Sequence, residues 1–233
     1  TGGPAIDAVI NSNIVGGAAL NVFGDGTSTV GFGGVLGSGL ELTTFSVDGS
    51  TSVVLAGGAV NTSGTQIYNG NVLLAADEVF TSSLGGAISF NGTLNGGFAA
   101  TVNTGGTTTF GQAVGGVVSL ASLTTDAGGT TAINGGAVTT TGLQSYGDAV
   151  TLDGDTTLTS TAGGAISAAS TVALGGTLTV DTSGTGTFSG AMSGAGGFTQ
   201  AGTGTTTLSG ANGYSGATTI NAGVLAANSS AAL

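Results

Sequence analysis

The side chains whose type and spacing best suit a binding chemistry are aspartates beside glycine. Asp153 and Asp155 flank Gly154, and Asp25 and Asp48 each precede a glycine. Calcium takes several carboxylate and carbonyl oxygens, and an Asp-Gly turn presents both kinds. We therefore predict candidate calcium turns at these four aspartates, with Ca²⁺ as a structural ion or counterion and no other cofactor. The alternative is turn chemistry alone, because the glycine-rich nonapeptide that binds calcium in other solenoids is absent.

Acid–base catalysis needs a different arrangement of side chains. Two carboxyl groups must face one cleft to cleave a glycosidic bond. Asp77 and Glu78 are the only adjacent acids, and neighbours on a strand point to opposite faces. A cation that would stabilise developing negative charge is missing, since the chain has no Lys, Arg or His. We predict that the protein is not an enzyme.

The charge composition excludes further classes of function. Eleven acidic residues stand against no basic ones, which gives a formal charge of −11. Nucleic-acid binding and attraction to anionic lipids both draw on Lys and Arg. Zinc, haem and iron–sulfur sites use His or Cys, and the chain has neither. We expect no nucleic-acid partner.

The hydropathy indicates an ordered chain despite 49 glycines, because 39% of the residues are apolar whereas disordered chains are poor in such residues. No apolar run reaches the ~18 residues that span a membrane, so we expect no membrane insertion by this segment. No basic, apolar leader precedes Thr1, which suggests a mature or excised segment.

An internal repeat is the strongest sign of architecture. Residues 57–89 align without gaps with residues 135–167, at an offset of 78 residues and with 18 identities in 33 positions. Related pieces extend the pattern over residues 25–190. Tyr68 and Tyr146 occupy equivalent positions, which favours packing within the repeat over a platform for sugars.

Short runs with β-strand character fill each repeat. Thr156–Thr159 and Thr177–Val180 alternate polar and apolar residues, as half-buried strands do, and glycine beside Asn or Asp supplies the corners. The pattern predicts an all-β fold, a parallel β-solenoid, and leaves its handedness open; the resemblance given below implies that it is right-handed. Each 78-residue repeat would then hold about four coils, at the ~20 residues typical of such repeats. The alternative is an antiparallel β-sandwich fibre subunit.

Two stretches resemble known families. Residues 187–225 include Leu208–Asn212, Tyr214–Gly216 and Thr218–Gly223, and resemble the passenger-associated repeat of autotransporters, which builds coils of a right-handed β-helix. One departure is Gln200, where that repeat often has Lys. Residues 57–190 are similar in texture to the β-strand repeats of filamentous-haemagglutinin-like exoproteins.

These observations divide the chain into three parts and suggest a function. Residues 1–24 would be a cap or a donor strand, 25–190 a repetitive solenoid, and 191–233 terminal coils of the autotransporter type. The resemblances imply an extracellular or cell-surface fibre, sheath or stalk. Self-association would proceed through strand edges. The alternative is an adhesin passenger that binds a host surface or a polysaccharide.

Overall fold

The computed structural model describes residues 8–24, 28–49 and 51–228. Within these ranges the chain forms strands of two to six residues and no helix. The strands are short because turns at Gly, Asn and Asp interrupt each run of β-branched residues. In chain order the strands are β1 Ala8–Ile10, β2 Leu20–Val22, β3 Thr29–Phe32, β4 Phe45–Val47, β5 Ser52–Leu55, β6 Ala59–Thr62, β7 Gln66–Tyr68, β8 Val72–Leu74, β9 Glu78–Ser82, β10 Ile88–Phe90, β11 Leu94–Asn95, β12 Ala99–Thr104, β13 Thr107–Phe110, β14 Ser122–Thr125, β15 Thr130–Ile133, β16 Ala137–Thr140, β17 Gln144–Tyr146, β18 Ala149–Leu152, β19 Thr156–Ser160, β20 Ile166–Ala168, β21 Val172–Leu174, β22 Leu178–Thr182, β23 Thr185–Phe188, β24 Met192–Gly194, β25 Phe198–Gln200, β26 Thr205–Leu208, β27 Gly213–Tyr214, β28 Thr218–Ile220 and β29 Val224–Ala227.

The strands stack into three faces, which the chain visits in turn. Face 1 contains β1, β3, β5, β8 and β11, and continues through a bridge at Val114 into β16, β19, β22, β25 and β28. Face 2 runs from β6 to β29, and face 3 from β2 to β27. Each turn around the three faces is one coil, and successive coils pair through hydrogen bonds along the long axis.

Every ladder among the described residues is parallel, from β1 with β3 to β26 with β29. Paired positions in neighbouring coils lie 19 to 25 residues apart, as in Val53 with Val72 and Leu20 with Phe45. Parallel neighbours need such a crossover, which hairpins do not supply. The structure confirms the all-β parallel solenoid and contradicts the antiparallel sandwich.

The core is a set of columns, because alternate residues of each strand point inward and pair with inward residues of the next coil. On face 3 a buried aromatic column follows this register. Tyr68 stacks on Phe90 with ring centroids 4.9 Å apart, and Phe90 stacks on Phe110 at 5.6 Å. Phe80 on face 2 contacts Phe90 edge-on at 5.0 Å. Tyr68 and Tyr146 are both buried, which confirms their predicted packing within the repeat.

The sequence repeat does not match a whole number of coils. Val60 on face 2 pairs in succession with Phe80, Val102, Thr125 and Tyr146, so four coils take 86 residues here. The repeat equivalent of Val60 is Val138, 78 residues later, and it lies on face 1. One repeat therefore covers three and two-thirds coils rather than the four expected, and its second copy is displaced by one face.

Two equivalent bulges interrupt the regular coils. Leu36 pairs with Val60 and Leu42 with Thr62, so residues 37–41 loop out opposite a single residue. Val114 and Leu120 bracket the second bulge, residues 115–119, in the same way. Gly37 and its equivalent Gly115 have φ of 73° and 67°. A Cβ at either position would also meet the backbone oxygen of the next coil, so both positions require glycine.

The first and last described coils belong to the same ladders as the rest. Residues 8–24 form the first coil, where β1 pairs with β3 and β2 with β4. At the other end, β27, β28 and β29 are the last strands of their sheets. None of the described residues forms a helix suited to crossing a membrane.

Candidate functional site

The predicted calcium turn at residues 153–155 lies at the corner between β18 and β19. Asp155 Oδ1 accepts a hydrogen bond from the backbone N–H of Thr177 in the next coil, at 2.7 Å. Its repeat equivalent, Asp77, accepts the N–H of Ala99 at 2.9 Å in the same way. The carboxylate of Asp155 therefore links two coils, and Asp153 and Asp155 are both exposed.

Asp48 forms a separate turn after β4. Its carboxylate accepts hydrogen bonds from the Thr51 hydroxyl at 2.7 Å and from the backbone N–H of Gly24 at 3.3 Å. Asp25 lies outside the described residues. The bond from Thr51 is local to the Asp-Gly turn, and the bond from Gly24 connects this turn to the preceding coil.

The structure does not bring Asp48 and the Asp153–Asp155 turn together. Strands β4 and β18 are five places apart in the face 3 sheet, a separation of about 24 Å at the usual ~4.8 Å between strands. Within residues 8–24, 28–49 and 51–228, no three acidic side chains form a group that could hold a metal ion. Calcium binding at these turns stays a prediction for single, separate sites.

The sequence analysis missed a buried polar motif that occurs twice. Gln66 is fully buried, and its Nε2 donates to the backbone oxygens of Val60 at 3.0 Å and Thr81 at 2.9 Å. The Tyr68 hydroxyl donates to Gln66 Oε1 at 2.9 Å. Each Gln-x-Tyr unit thus satisfies its buried polar atoms within the core, which specifies the register of the strands around it.

The second unit repeats these contacts on another face. Gln144 Nε2 donates to the oxygens of Val138 at 3.2 Å and Thr159 at 2.8 Å, and Tyr146 donates to Gln144 Oε1 at 3.1 Å. Burial raises the pKa of Tyr146, so its hydroxyl stays a neutral donor. The Gln-x-Tyr spacing on an alternating strand was the available sequence signal.

A third buried glutamine lacks the tyrosine. Gln200 Nε2 donates to the oxygen of Gly202 at 2.8 Å, but its Oε1 has no hydrogen-bond partner. Gln200 faces inward and is fully buried. A lysine here, as in the resembling repeat, would place its long side chain in the core near the backbone oxygens of Gly202 and Gly204.

Two carboxyl groups of the described residues also lie inside the solenoid, and neither burial was predicted from the sequence. Glu78 is 2% exposed and accepts the backbone N–H of Gly58 at 2.9 Å. Burial raises the pKa of Glu78 to about 7, although the hydrogen bond from Gly58 opposes the rise. Glu78 and Phe80 lie two residues apart on β9, so their side chains point to the same, inward face of the strand. This alternation was the sequence signal that could have predicted the burial of Glu78.

The second buried carboxyl group belongs to Asp148, which is 3% exposed at the corner between β17 and β18. The Thr131 hydroxyl donates to it at 2.8 Å and the Thr125 hydroxyl at 3.3 Å. Burial raises its pKa, and the nearby Asp126 adds to the rise, while the threonine bonds oppose it. The repeat equivalent of Asp148 is Gly70, so comparison of the two repeats could not predict a buried acid at this position.

The outer surface offers hydroxyl groups and two grooves. A row of small hydroxyl side chains follows one register position of face 2 through six coils, namely Thr101, Thr124, Ser145, Ser167, Thr187 and Thr207. A groove of about 430 Å³ on face 1 is lined by uncharged side chains including Val54, Leu73 and Val117. A second groove, of about 380 Å³, contains Asp181 as the one acid of its lining.

The last described coil is exposed at its end. Ile220 pairs with Gln200 and occupies an inward position, yet it is 55% exposed because no further described coil covers it. At the other end, Ile10 pairs with the buried Phe32 and is 37% exposed. Both ends therefore present inward-facing apolar side chains and strand edges with one free side among the described residues.

The three faces and about ten stacked coils define a parallel β-solenoid protein. The passenger-associated-transport-repeat family model matches residues 198–227 of this chain. The matched residues contain β25 to β29, the last coils described. No curated protein and no solved structure matches the chain.

The family match supports the predicted likeness of residues 187–225 to the autotransporter passenger repeat. The repeat and the solenoid fold together fit an autotransporter passenger domain, a surface-exposed structural or adhesin-like segment. Passengers of this kind are typically structural or adhesive, and the repeat family implies a secreted, cell-surface location. The likeness of residues 57–190 to filamentous-haemagglutinin-like exoproteins stays a prediction.

Proposed function

We propose that this chain is a rod-forming part of a cell-surface stalk, sheath or fibre, which assembles through the strand edges of its terminal coils. The observation that carries the proposal is the continuity of three parallel ladders along the described chain, up to the passenger repeat at its C-terminal side. Hydrogen bonds between coils run along the axis, so the stack resists bending as a unit.

The terminal coils supply the assembly surface in this proposal. An unpaired strand edge templates the addition of another parallel strand. The inward position of Ile220 would then be covered by the first coil of a neighbouring solenoid unit, where Ile10 occupies an inward position on the same face. The absence of Lys and Arg also removes the sites of trypsin-like proteases, which suits an exposed rod.

Negative-stain microscopy of the purified chain, with and without a calcium chelator, tests this proposal. We expect end-to-end filaments, and Ile220→Asp should shorten them because a carboxylate would be buried at the junction. Leu84→Asp is the matched control, since Leu84 is 83% exposed on the side of the rod. Monodisperse single rods in both conditions, with folding verified by circular dichroism, would contradict self-assembly.

An adhesive passenger is the second candidate, and the uncharged groove on face 1 favours it. In a chain with a charge of −11, the lining of this groove carries no acid and includes Val117, which is 86% exposed. Binding of the purified chain to host-cell surfaces and to polysaccharides would be compared with that of Val117→Asp. Equal binding by both forms would exclude this groove as the adhesive surface.

A further inference from the structure

Among the described residues the solenoid encloses two acids, and the chain has no basic side chain that could neutralise them. Glu78 on β9 and Asp148 after β17 are 2% and 3% exposed. The chain contains no Lys, Arg or His at any position, so neither carboxylate can form an ion pair with a side chain. An ionised carboxylate that is buried without a counter-charge is strongly unfavourable.

The surroundings of Glu78 contain few groups that could stabilise a negative charge. The strands on either side of it, β6 and β12, carry no titratable side chain. Tyr68 is the titratable group that interacts with Glu78: burial raises the pKa of Tyr68, and the negative charge of Glu78 raises it further. A single backbone N–H, that of Gly58, donates to the carboxyl group. Protonation of Glu78 removes the buried charge and leaves that bond in place.

Asp148 has more hydrogen bonds but also a like charge nearby. The hydroxyls of Thr125 and Thr131 donate to its oxygens, and Asp126 is the acid that faces it from the preceding coil. The four strands that pair with β17 and β18, on either side of this corner, are β14, β15, β20 and β21, and they contain no titratable residue. Its ionised form is therefore stabilised by two hydroxyls and its own backbone N–H, and repelled by one carboxylate.

We propose that Glu78 and Asp148 make the stability of this solenoid depend on pH. The folded coils are most stable at acidic pH, and ionisation of the two buried carboxyl groups destabilises them. A carboxyl group that holds its proton more tightly in the folded chain than in the unfolded chain stabilises the fold below its folded pKa. This stability falls as the pH rises from the unfolded value, near 4.5, to about 7 for Glu78. The inference does not depend on filament formation.

Denaturant unfolding of the chain at pH 5 and pH 8 tests the proposal. For Glu78 alone, the unfolding equilibrium constant should rise by about 70-fold between the two values, because the pKa difference is worth tenfold per unit over the whole transition and the unfolded carboxyl group is already largely ionised at pH 5. Glu78→Gln and Asp148→Asn should each reduce the dependence on pH and raise the denaturation midpoint at pH 8. Hydrogen exchange at pH 8 should slow in residues 78–82 of Glu78→Gln relative to the native chain.

Two further variants keep the test decisive. Asp181→Asn removes one negative charge from an exposed position, so it should leave the pH dependence unchanged and separates burial from net charge. Glu78→Thr installs the residue that the second repeat uses at this position, Thr156, which is buried there. A native midpoint that is equal or higher at pH 8, or one whose pH dependence survives in both Glu78 variants and in Asp148→Asn, would overturn the proposal.

Discussion

Tyr68 and Tyr146 occupy the same position of the 78-residue repeat, yet they face the core from two different faces of the solenoid. Each hydroxyl donates to the glutamine two residues earlier in its strand, at 2.9 Å and 3.1 Å. The Gln-x-Tyr hydrogen bond therefore forms in the same way on either face. Its contribution to the free energy of unfolding can be measured at two positions of one molecule.

Tyr146→Phe should lower the free energy of unfolding by about 1–2 kcal/mol, because Gln144 Oε1 is left buried without a donor. Tyr68→Phe should lower it by a similar amount, as measured by urea denaturation. Tyr214→Phe is the control, since the hydroxyl of Tyr214 pairs with Thr218 at the surface. Losses confined to one of the two buried tyrosines would show that the units are not equivalent.

Phe90→Ala should be among the most destabilising substitutions in the core. Phe90 lies between Tyr68 and Phe110 in the aromatic column and contacts Phe80 edge-on. Loss of a buried ring leaves a cavity, and such changes cost about 3–5 kcal/mol. Phe23→Ala should change the free energy of unfolding by less than about 0.5 kcal/mol, because Phe23 is 75% exposed. A small loss at Phe90 would mean that the column collapses around the gap.

Gly115→Ala should destabilise the second bulge by at least about 2 kcal/mol. The backbone there has a φ of 67°, and a new Cβ would clash with the backbone oxygen of Thr139. Gly97→Ala is a suitable control, since a Cβ at that position meets no atom within 4 Å. Thermal unfolding followed by circular dichroism compares the two variants, and similar melting temperatures would contradict the geometry of the bulge.

Asp155→Ala should cost about 1–2 kcal/mol even with a chelator present, because its bond to the N–H of Thr177 needs no ion. The calcium prediction adds a separate effect. Added Ca²⁺ should raise the melting temperature of the native chain, and Asp153→Ala should remove that rise. Calorimetric titration that detects no heat of calcium binding would leave Asp155 with its structural role alone.

Much of the fold could be predicted from the sequence because its signals are local. Alternation in Thr156–Thr159 indicated a strand with one inward side, and Asp-Gly and Asn-Gly pairs indicated the corners. The rotation of the repeat could not be predicted, since paired residues lie anywhere from 19 to 25 positions apart. The face of the second repeat became visible only in the structure, where Val138 pairs with Leu158 on face 1.

The polar interior was predictable in part. Gln66 and Gln144 stand two residues before a tyrosine in alternating strands, so their inward direction followed from parity. Asp148 gave no such signal, because it lies in a corner and its repeat equivalent is Gly70. The candidate calcium turns were chosen by residue type, whereas the buried acids in the described part of the chain are Glu78 and Asp148.

Because the second repeat is displaced by one face, equivalent positions of the two repeats are related by a rotation about the rod axis together with a translation along it, which is a screw operation. Residues 37–41 bulge from face 2, and their counterparts, residues 115–119, bulge from face 1. Three and two-thirds coils advance the rod by about 18 Å at ~4.8 Å per coil. Each further duplication of this unit would place the next bulge about 18 Å along the rod and one face around it. The bulges of a longer rod would therefore follow a helical path around its axis rather than a single face.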